Sequence, residues 1–266
     1  MGFFTVLSRD PLLAAAVSSA RAVSAGATVR SPGRLLWLVK ERPVTTVVMD
    51  SGAFGDPWES EATLRELGRR FPSVGVVFVA RRSVSPLTLL QLGRADLPSL
   101  RVLRYEELGR GLARSLAHAT EGGTRARTLR LIGQGLGSWE RRVVGEALEA
   151  AVLGGSADDF AHGLGWTRAH LGSRLRLASL PSPGRLLLWA KMLHAARWIS
   201  ESGRTAESVS RQLDYANGAT FRRALRGLLR CTPTQLIEGG GYGLASRRFL
   251  DVCGLGDRLV GNRSVA

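Results

Sequence analysis

The chain has 266 residues, 44% of them hydrophobic and 22% charged, with a formal net charge of +15 at pH 7. That apolar content excludes a disordered chain, and the length predicts one or two domains at roughly 100–200 residues each. No run of about 18 apolar residues predicts a membrane span, and MGFFTVLSRD lacks the apolar stretch and cleavage site of a signal peptide.

Over residues 1–120, apolar runs rich in β-branched residues alternate with helical ones. FFTVL (Phe3 to Leu7) precedes LLAAAVSSA, ATVR precedes GRLLWLVKE, and TTVVMD (Thr45 to Asp50) precedes SEATLRELGRRF. VGVVFVA (Val74 to Ala80) then precedes LTLLQLG, and LRVL (Leu100 to Leu103) precedes ELGRGLARSLAHA. Runs apolar on both faces suit strands covered on both sides. The alternation predicts βαβ units and a parallel five-stranded sheet. Active groups in such sheets gather at the carboxyl ends of the strands.

The strand count, the length and Asp50 at the end of the third run resemble the receiver domain of bacterial response regulators, a flavodoxin-like fold. In that family a carboxylate after the third strand accepts phosphate with Mg²⁺. An acidic pair after the first strand holds the metal, with a Ser or Thr after the fourth strand and a Lys after the fifth. The resemblance implies Asp50 as a candidate phosphoacceptor. Elsewhere the chain departs from the pattern. Ser8 and Arg9 stand where the acidic pair belongs, with Asp10 as the one acid, Arg81 and Arg82 follow Ala80, and Arg104-Tyr105 follow the fifth run. One or two carboxylates beside an extra arginine do not make a site for a hard cation, so neither a metal nor a cofactor is expected. The expectation is a pseudo-receiver over 1–120 that pairs chains, or takes a protein or small-molecule signal, without phosphorylation, with Asp50 capping a loop. The alternatives are a phosphorylation-dependent response regulator and a flavodoxin-like enzyme using Asp50.

EGGTRARTLRLIGQGLGSWERR (Glu121 to Arg142) opens on Gly-Gly and a basic run and reads as a domain boundary. GQGLGS lacks the Lys-Ser/Thr ending of a phosphate-binding loop. SWERRVVGEALEAAVLGG reads as an amphipathic helix capped by Ser138 and stopped at Gly154-Gly155. Residues 121–155 are therefore expected to be linker and connecting helix.

Charge concentrates in the second half. Residues 1–123 carry 16 basic and 11 acidic side chains, and residues 124–266 carry 21 and 11. Such a bias points to a polyanion, nucleic acid before an anionic membrane. The rival explanation is a generally arginine-rich chain, since Lys occurs only at Lys40 and Lys191. Cys231 and Cys253 form no CxxC or Cys/His cluster, which argues against zinc and for reduced thiols in a cytosolic chain.

Two helix-turn-helix layouts follow. In SADDFAHGLGWTRAHLGSRLRLASL, Ser156 caps a helix from Asp158 to His162, Gly163 to Trp166 turn, and Thr167 to Leu177 form a second helix. Its Leu171 and Leu175 point inward, and Ala169, Ser173 and Arg176 point outward. SPGRLLLWAKMLHAARWISESG gives one long apolar-faced helix. In TAESVSRQLDYANGATFRRALRGLLRCTPTQL, Thr205 or Ser208 caps a helix ending at Leu213, Asp214 to Asn217 turn, and Thr220 to Leu229 form a helix. Phe221, Ala224, Leu225 and Leu228 share its back, Arg223 and Arg226 lie opposite with Ala219, and Arg222 is at the flank. Most arginine-rich helix faces are solvated coats, and it is the preceding helix and turn that make this one a reader. Two such units on a rigid helix would meet major-groove faces about one turn apart.

The segments LLLWAKMLHAARWI and SVSRQLDYANGATFRRALRGLLRCTP, above all Phe221-Arg222-Arg223 with Thr232-Pro233, resemble the DNA-binding domain of AraC/XylS-type transcription regulators. Asp214 and Arg230 replace usual glycines, Ser210 replaces alanine, and Leu225 replaces a common phenylalanine. The resemblance implies an all-α DNA-binding domain over 156–240; after it, the glycine-rich stretch beginning GGGYG reads as a flexible tail over 241–266. It also implies a non-enzymatic regulator bound to double-stranded promoter or operator DNA, cytoplasmic and nucleoid-associated, with no membrane contact. A homodimer is expected, with RNA polymerase or a signal molecule as further partners. Arg223 is the expected groove-facing residue, bordered by Ala219, Thr220 and Arg226, with Arg222 and Arg230 on phosphates. In the first unit Ala169, Gly172 and Ser173 face out, and Arg168, Arg174 and Arg176 are expected on backbone phosphate. Trp166, Trp189 and Trp198 are expected in the core. A third reading, architectural DNA binding driven by charge, would show a steep salt slope without sequence preference.

Overall fold

The structure, a computed structural model, describes residues 3–20, 26–82, 84, 100–119, 124–132 and 136–255. The helix expected at Leu87 to Gly93, the first half of the GQGLGS segment and the last residues of the expected tail lie outside these. The chain divides into two units: residues 1–123 with 201–204, and residues 124–200 with 205–266.

In the first unit, β1 (Phe3–Leu7), β2 (Gly26–Val29), β3 (Val44–Asp50), β4 (Gly75–Ala80) and β5 (Leu100–Arg104) form one sheet in the order β2-β1-β3-β4-β5. Every pairing is parallel. This is the flavodoxin-like doubly wound order, with its switch point between β1 and β3. The two-residue period of a strand sends Val47 and Met49 to one face and Val48 to the other. On the first face Val47, Met49, Val76 and Phe78 pack with Leu35 and Val39 of α2 (Pro32–Glu41) and Leu64 and Leu67 of α3 (Pro57–Arg70). On the second, Phe4, Val6, Val48, Val77 and Val79 pack with Leu13 and Val17 of α1 (Pro11–Ala20) and Leu112 and Leu116 of α4 (Leu108–Ala119). Ser31 and Asp56 cap α2 and α3, each followed by a proline whose missing N–H costs nothing at a helix start. Gly75 opens β4 where the end of α4 passes, and a Cβ there would lie 1.9 Å from the Ala119 carbonyl oxygen.

The second unit is helical. It holds α5 (Thr124–Ile132), α6 (Ser138–Val152), α7 (Ala157–Gly163), α8 (Arg168–Leu177), α9 (Pro183–Ile199), α10 (Ala206–Gln212), α11 (Gly218–Leu229), α12 (Pro233–Glu238) and α13 (Tyr242–Val252). α9 is its axis. Leu186, Leu187, Trp189, Ala190, Met192, Leu193, Ala195, Ala196 and Trp198 are all buried, covering nearly every side of the helix. His194 of α9 is packed and bonds through Nε2 to the Leu148 carbonyl at 2.9 Å.

Three expectations are corrected. The segment expected as linker and connecting helix holds two helices of the second unit, Thr124–Ile132 and Ser138–Val152, and Val143, Val144, Ala147, Leu148 and Ala151 of the latter join its core. Gly137 rather than Ser138 is the N-cap of α6, and no side chain caps it. The expected flexible tail contains α13, whose Tyr242, Ala245 and Phe249 recur at helical spacing and are buried, with the Phe249 ring 5.8 Å from Trp189.

Ser210 of α10 is fully buried, and among the described residues its Oγ finds no hydrogen-bond partner. A buried hydroxyl without a partner costs about 1 kcal/mol or more. Ser210→Ala should therefore stabilise the chain by about 1 kcal/mol, seen as a higher urea midpoint at unchanged slope. An unchanged or lower midpoint would contradict this reading of the site.

Candidate nucleic-acid interface

The two helix pairs are built by the same local chemistry at matching positions. Ser156 and Thr205 cap α7 and α10, each in a reciprocal capping box, with Asp159 and Ser208 respectively. Each first helix then closes through a left-handed residue, Gly165 at φ +77 and Asp214 at φ +57. The closing bonds correspond too: Trp166 N–H to the Ala161 carbonyl at 3.0 Å, and Tyr215 N–H to the Ser210 carbonyl at 3.1 Å. Asp is one of the few side chains that tolerate this conformation, which is how Asp214 serves where glycine is usual. Thr167 and Asn217 then cap the second helices, accepting from His170 N at 3.2 Å and Thr220 N at 2.8 Å. Leu171 and Leu175 of α8, and Phe221, Leu225 and Leu229 of α11, are buried.

With those backs inward, α11 turns Ala219, Thr220, Arg222, Arg223 and Arg226 to solvent. Among the described residues the three arginines have no carboxylate partner. Thr220 Oγ1 donates to Asn217 Oδ1 at 3.1 Å, so its hydroxyl helps hold the N-cap. The helix ends on Arg230 at φ +45. Arg248 of α13 donates through Nη1 to the Leu229 carbonyl, a cation at the negative end of the helix. Cys231 beside that end is buried, and burial pushes its thiol up and that of Cys253 to about 12. Neither offers the low-pKa thiolate of a redox switch.

The face of α8 is different. Ala169, Ser173 and Arg176 are exposed, but Ser173 Oγ donates to the Ala169 carbonyl of its own helix at 3.2 Å. Arg168 lies 3.5 Å from Asp158, with both side chains more than half exposed. Arg174 lies over the rings of Trp139 and Trp166. Trp189 and Trp198 are core residues, whereas Trp166 is only partly buried and stacks on Trp139.

A second cluster sits in the first unit at the carboxyl ends of β1, β3, β4 and β5, on the β1/β3 switch point. Arg81, just past β4, forks onto Asp50: Nε lies 2.9 Å from Oδ1 and Nη2 2.9 Å from Oδ2. The same Nη2 lies 2.7 Å from Asp10 Oδ2. Ser8 donates to Asp50 Oδ2 at 2.7 Å, Gly52 N–H to Asp50 Oδ1 at 2.9 Å, and Tyr105 to Asp10 Oδ2 at 2.5 Å. The guanidinium also lies over the Tyr105 ring, 4.4 Å from its centre. Asp50 thus caps the short turn after β3.

These bonds set the charges. The Tyr105 hydroxyl, and after it Arg81, bring Asp10 down to about 2. Burial raises the Asp50 carboxyl, but Arg81, Ser8 and Gly52 together outweigh it and hold the group below its usual range. Asp50 holds Arg81 firmly protonated. A divalent cation would need the carboxylate oxygens that the guanidinium and hydroxyls already occupy. Among the described residues no group of three or more His, Cys, Asp or Glu is gathered for a metal. Ser8, Asp10, Arg81 and Tyr105 could be named from the sequence as departures from the receiver pattern. That they bond to one another depends on the strand order, which the sequence does not state.

Both carboxyls have depressed pKa values in the folded state. Their contribution is therefore complete above about pH 4 and lost as pH falls towards 2. Arg81→Ala should destabilise the chain by about 2–3 kcal/mol at pH 7. That is below the range for fully buried pairs, because 34% of the Arg81 side chain is exposed. The gap from wild type should close between pH 4 and 2 in urea titrations, and a gap constant over that range would contradict the clamp.

Residues 160–239 match the helix-turn-helix domain family, of the AraC type. The match runs from Phe160 in α7 to Gly239 just past α12, and so takes in both helix pairs and α9 between them. No curated protein and no solved structure matches the chain. No helix among the described residues is long and apolar enough to cross a membrane. The chain carries, on its second unit, the DNA-binding helix-turn-helix domain of a transcription regulator.

Proposed function

We propose that the chain is a sequence-specific transcription regulator whose two helix-turn-helix units enter major-groove faces about one turn apart on duplex DNA. The observation that carries this is the face of α11: Arg222, Arg223 and Arg226 exposed and, among the described residues, without carboxylate partners, on a helix within the matched domain. Arg223 stands in the middle of that face and donates in pairs to guanine O6 and N7. Ala219, Thr220 and Arg226 border it and shape the fit to neighbouring bases. Arg222 and Arg230 meet phosphates. The first unit offers Ala169, Gly172 and Ser173, small residues with little to donate, so its share is backbone contact from Arg168, Arg174 and Arg176.

The first unit is proposed as a pseudo-receiver. The β2-β1-β3-β4-β5 order and Asp50 at the end of β3 support the likeness. The Arg81 fork on Asp50 and Asp10 supports a role without phosphoryl transfer, since the acceptor oxygens already hold a cation. In this reading the unit pairs two copies of the chain or takes a protein or small-molecule signal, and passes the outcome to a DNA-bound domain acting on RNA polymerase.

The test uses duplexes selected by the full chain from a random pool, with affinities measured at several salt concentrations. Arg223→Ala should cost about 1–3 kcal/mol on the selected sequence and relax preference at one base pair. Arg168→Ala should weaken all sequences alike and lower the slope of log affinity against log salt by about 1. Equal loss of sequence preference from both variants would overturn this division of roles.

A further inference from the structure

We propose that Trp139 and Trp166 hold Arg174 as a backbone-phosphate contact of the first helix-turn-helix unit, which makes α6 part of the DNA interface. The inference rests on the reading of the second unit as DNA-binding. Trp139 lies in the first turn of α6, ahead of the matched residues 160–239, and Trp166 lies in the turn between α7 and α8. The two indoles stack at 5.9 Å with 26° between their planes. Arg174 of α8 places its guanidinium 5.0 Å from the Trp139 centre and 5.4 Å from that of Trp166. His170, one turn earlier on α8, meets Trp166 edge-on at 5.2 Å.

Three features point outward, to an anion. First, Arg174 is exposed and has no carboxylate partner among the described residues, so the aromatic faces restrain it without neutralising it. A guanidinium lying on a ring keeps its edge N–H groups free, and these match a phosphate in pairs. Restraint before binding also reduces the side-chain entropy lost when the contact forms. Second, the Trp139 indole N–H is buried with no hydrogen-bond partner among the described residues. Core packing alone would be served better by a phenylalanine, whereas a tryptophan face is the best partner for a cation. Third, the feature belongs to the first unit alone. Matching the two second helices through Leu171 with Phe221 and Leu175 with Leu225 sets Arg174 against Ala224, which is apolar and partly buried. The unit whose groove face is small and neutral is the one that carries the mounted arginine.

The test uses the full chain, the selected duplex and a salt series. Arg174→Ala should weaken binding ~5–10-fold with sequence preference unchanged, and lower the salt slope by about 1. Trp139→Leu should weaken binding ~3-fold in the wild-type background and have no effect in Arg174→Ala, because it acts through that arginine. Trp139→Phe keeps a ring face and should restore most of the affinity. Indole fluorescence should change when the duplex binds, and that change should shrink in Trp139→Phe. A salt slope unaltered by Arg174→Ala, or a Trp139→Leu loss of the same size in both backgrounds, would overturn the inference while leaving DNA binding intact. Failure of the wild-type chain to bind any duplex would overturn the underlying reading, and this inference with it.

Discussion

Burial of α9 on almost every side is the constraint from which the second unit follows. A helix with Leu186, Trp189, Met192, Leu193, Ala196 and Trp198 all withdrawn from water must be surrounded. The helices around it are therefore fixed by which of their faces are apolar. Leu171 and Leu175 commit α8, and Phe221, Leu225 and Leu229 commit α11, each with its back to this core. What remains outward on α11 is cationic, and what remains on α8 is the small Ala169 and Ser173 flanked by Arg168, Arg174 and Arg176. The left-handed turns at Gly165 and Asp214 then set the path from each first helix into its second. The contrast between the two helices is thus a consequence of packing, with chemistry left to whichever residues packing does not use.

The first unit gathers ionised groups at one place. At the β1/β3 switch point, where open sheets of this order present ligands, the ionised carboxylates are matched by a cation from the same chain. Arg81, Ser8, Tyr105 and the Gly52 amide account for the lone pairs of Asp50 and much of Asp10. A fork-on-fork pair of this kind has direction as well as strength, so it ties the loop after β4 to those after β1 and β3.

Much of this was legible in the residues themselves. VGVVFVA is apolar on both faces and could be only a strand covered on both sides, and it is β4. Ser156 and Thr205 announced their helices because a capping hydroxyl acts within three residues. Asp214 announced its left-handed backbone because few side chains are stable there. What the sequence hid was contact across distance. The Arg81 clamp joins four loops that become neighbours only through the strand order. The stripe of α6 was visible as amphipathic, but its partner α9 lies far along the chain, so a core helix read as a connector. The glycines of GGGYG suggested a loose tail and obscured the Tyr242, Ala245 and Phe249 spacing just behind them. Trp166 read as core, and its stacking on Trp139 beneath Arg174 required the fold.

The most direct measurement is a pull-down of fragmented host DNA by the purified full-length chain at near-physiological salt, with Arg223→Ala alongside. The account predicts recovery of a short motif of two half-sites about one helical turn apart, lost or blurred in the variant. Uniform recovery across the genome, unchanged by the variant, would contradict it, and the arginines of α11 would then be a solvated coat.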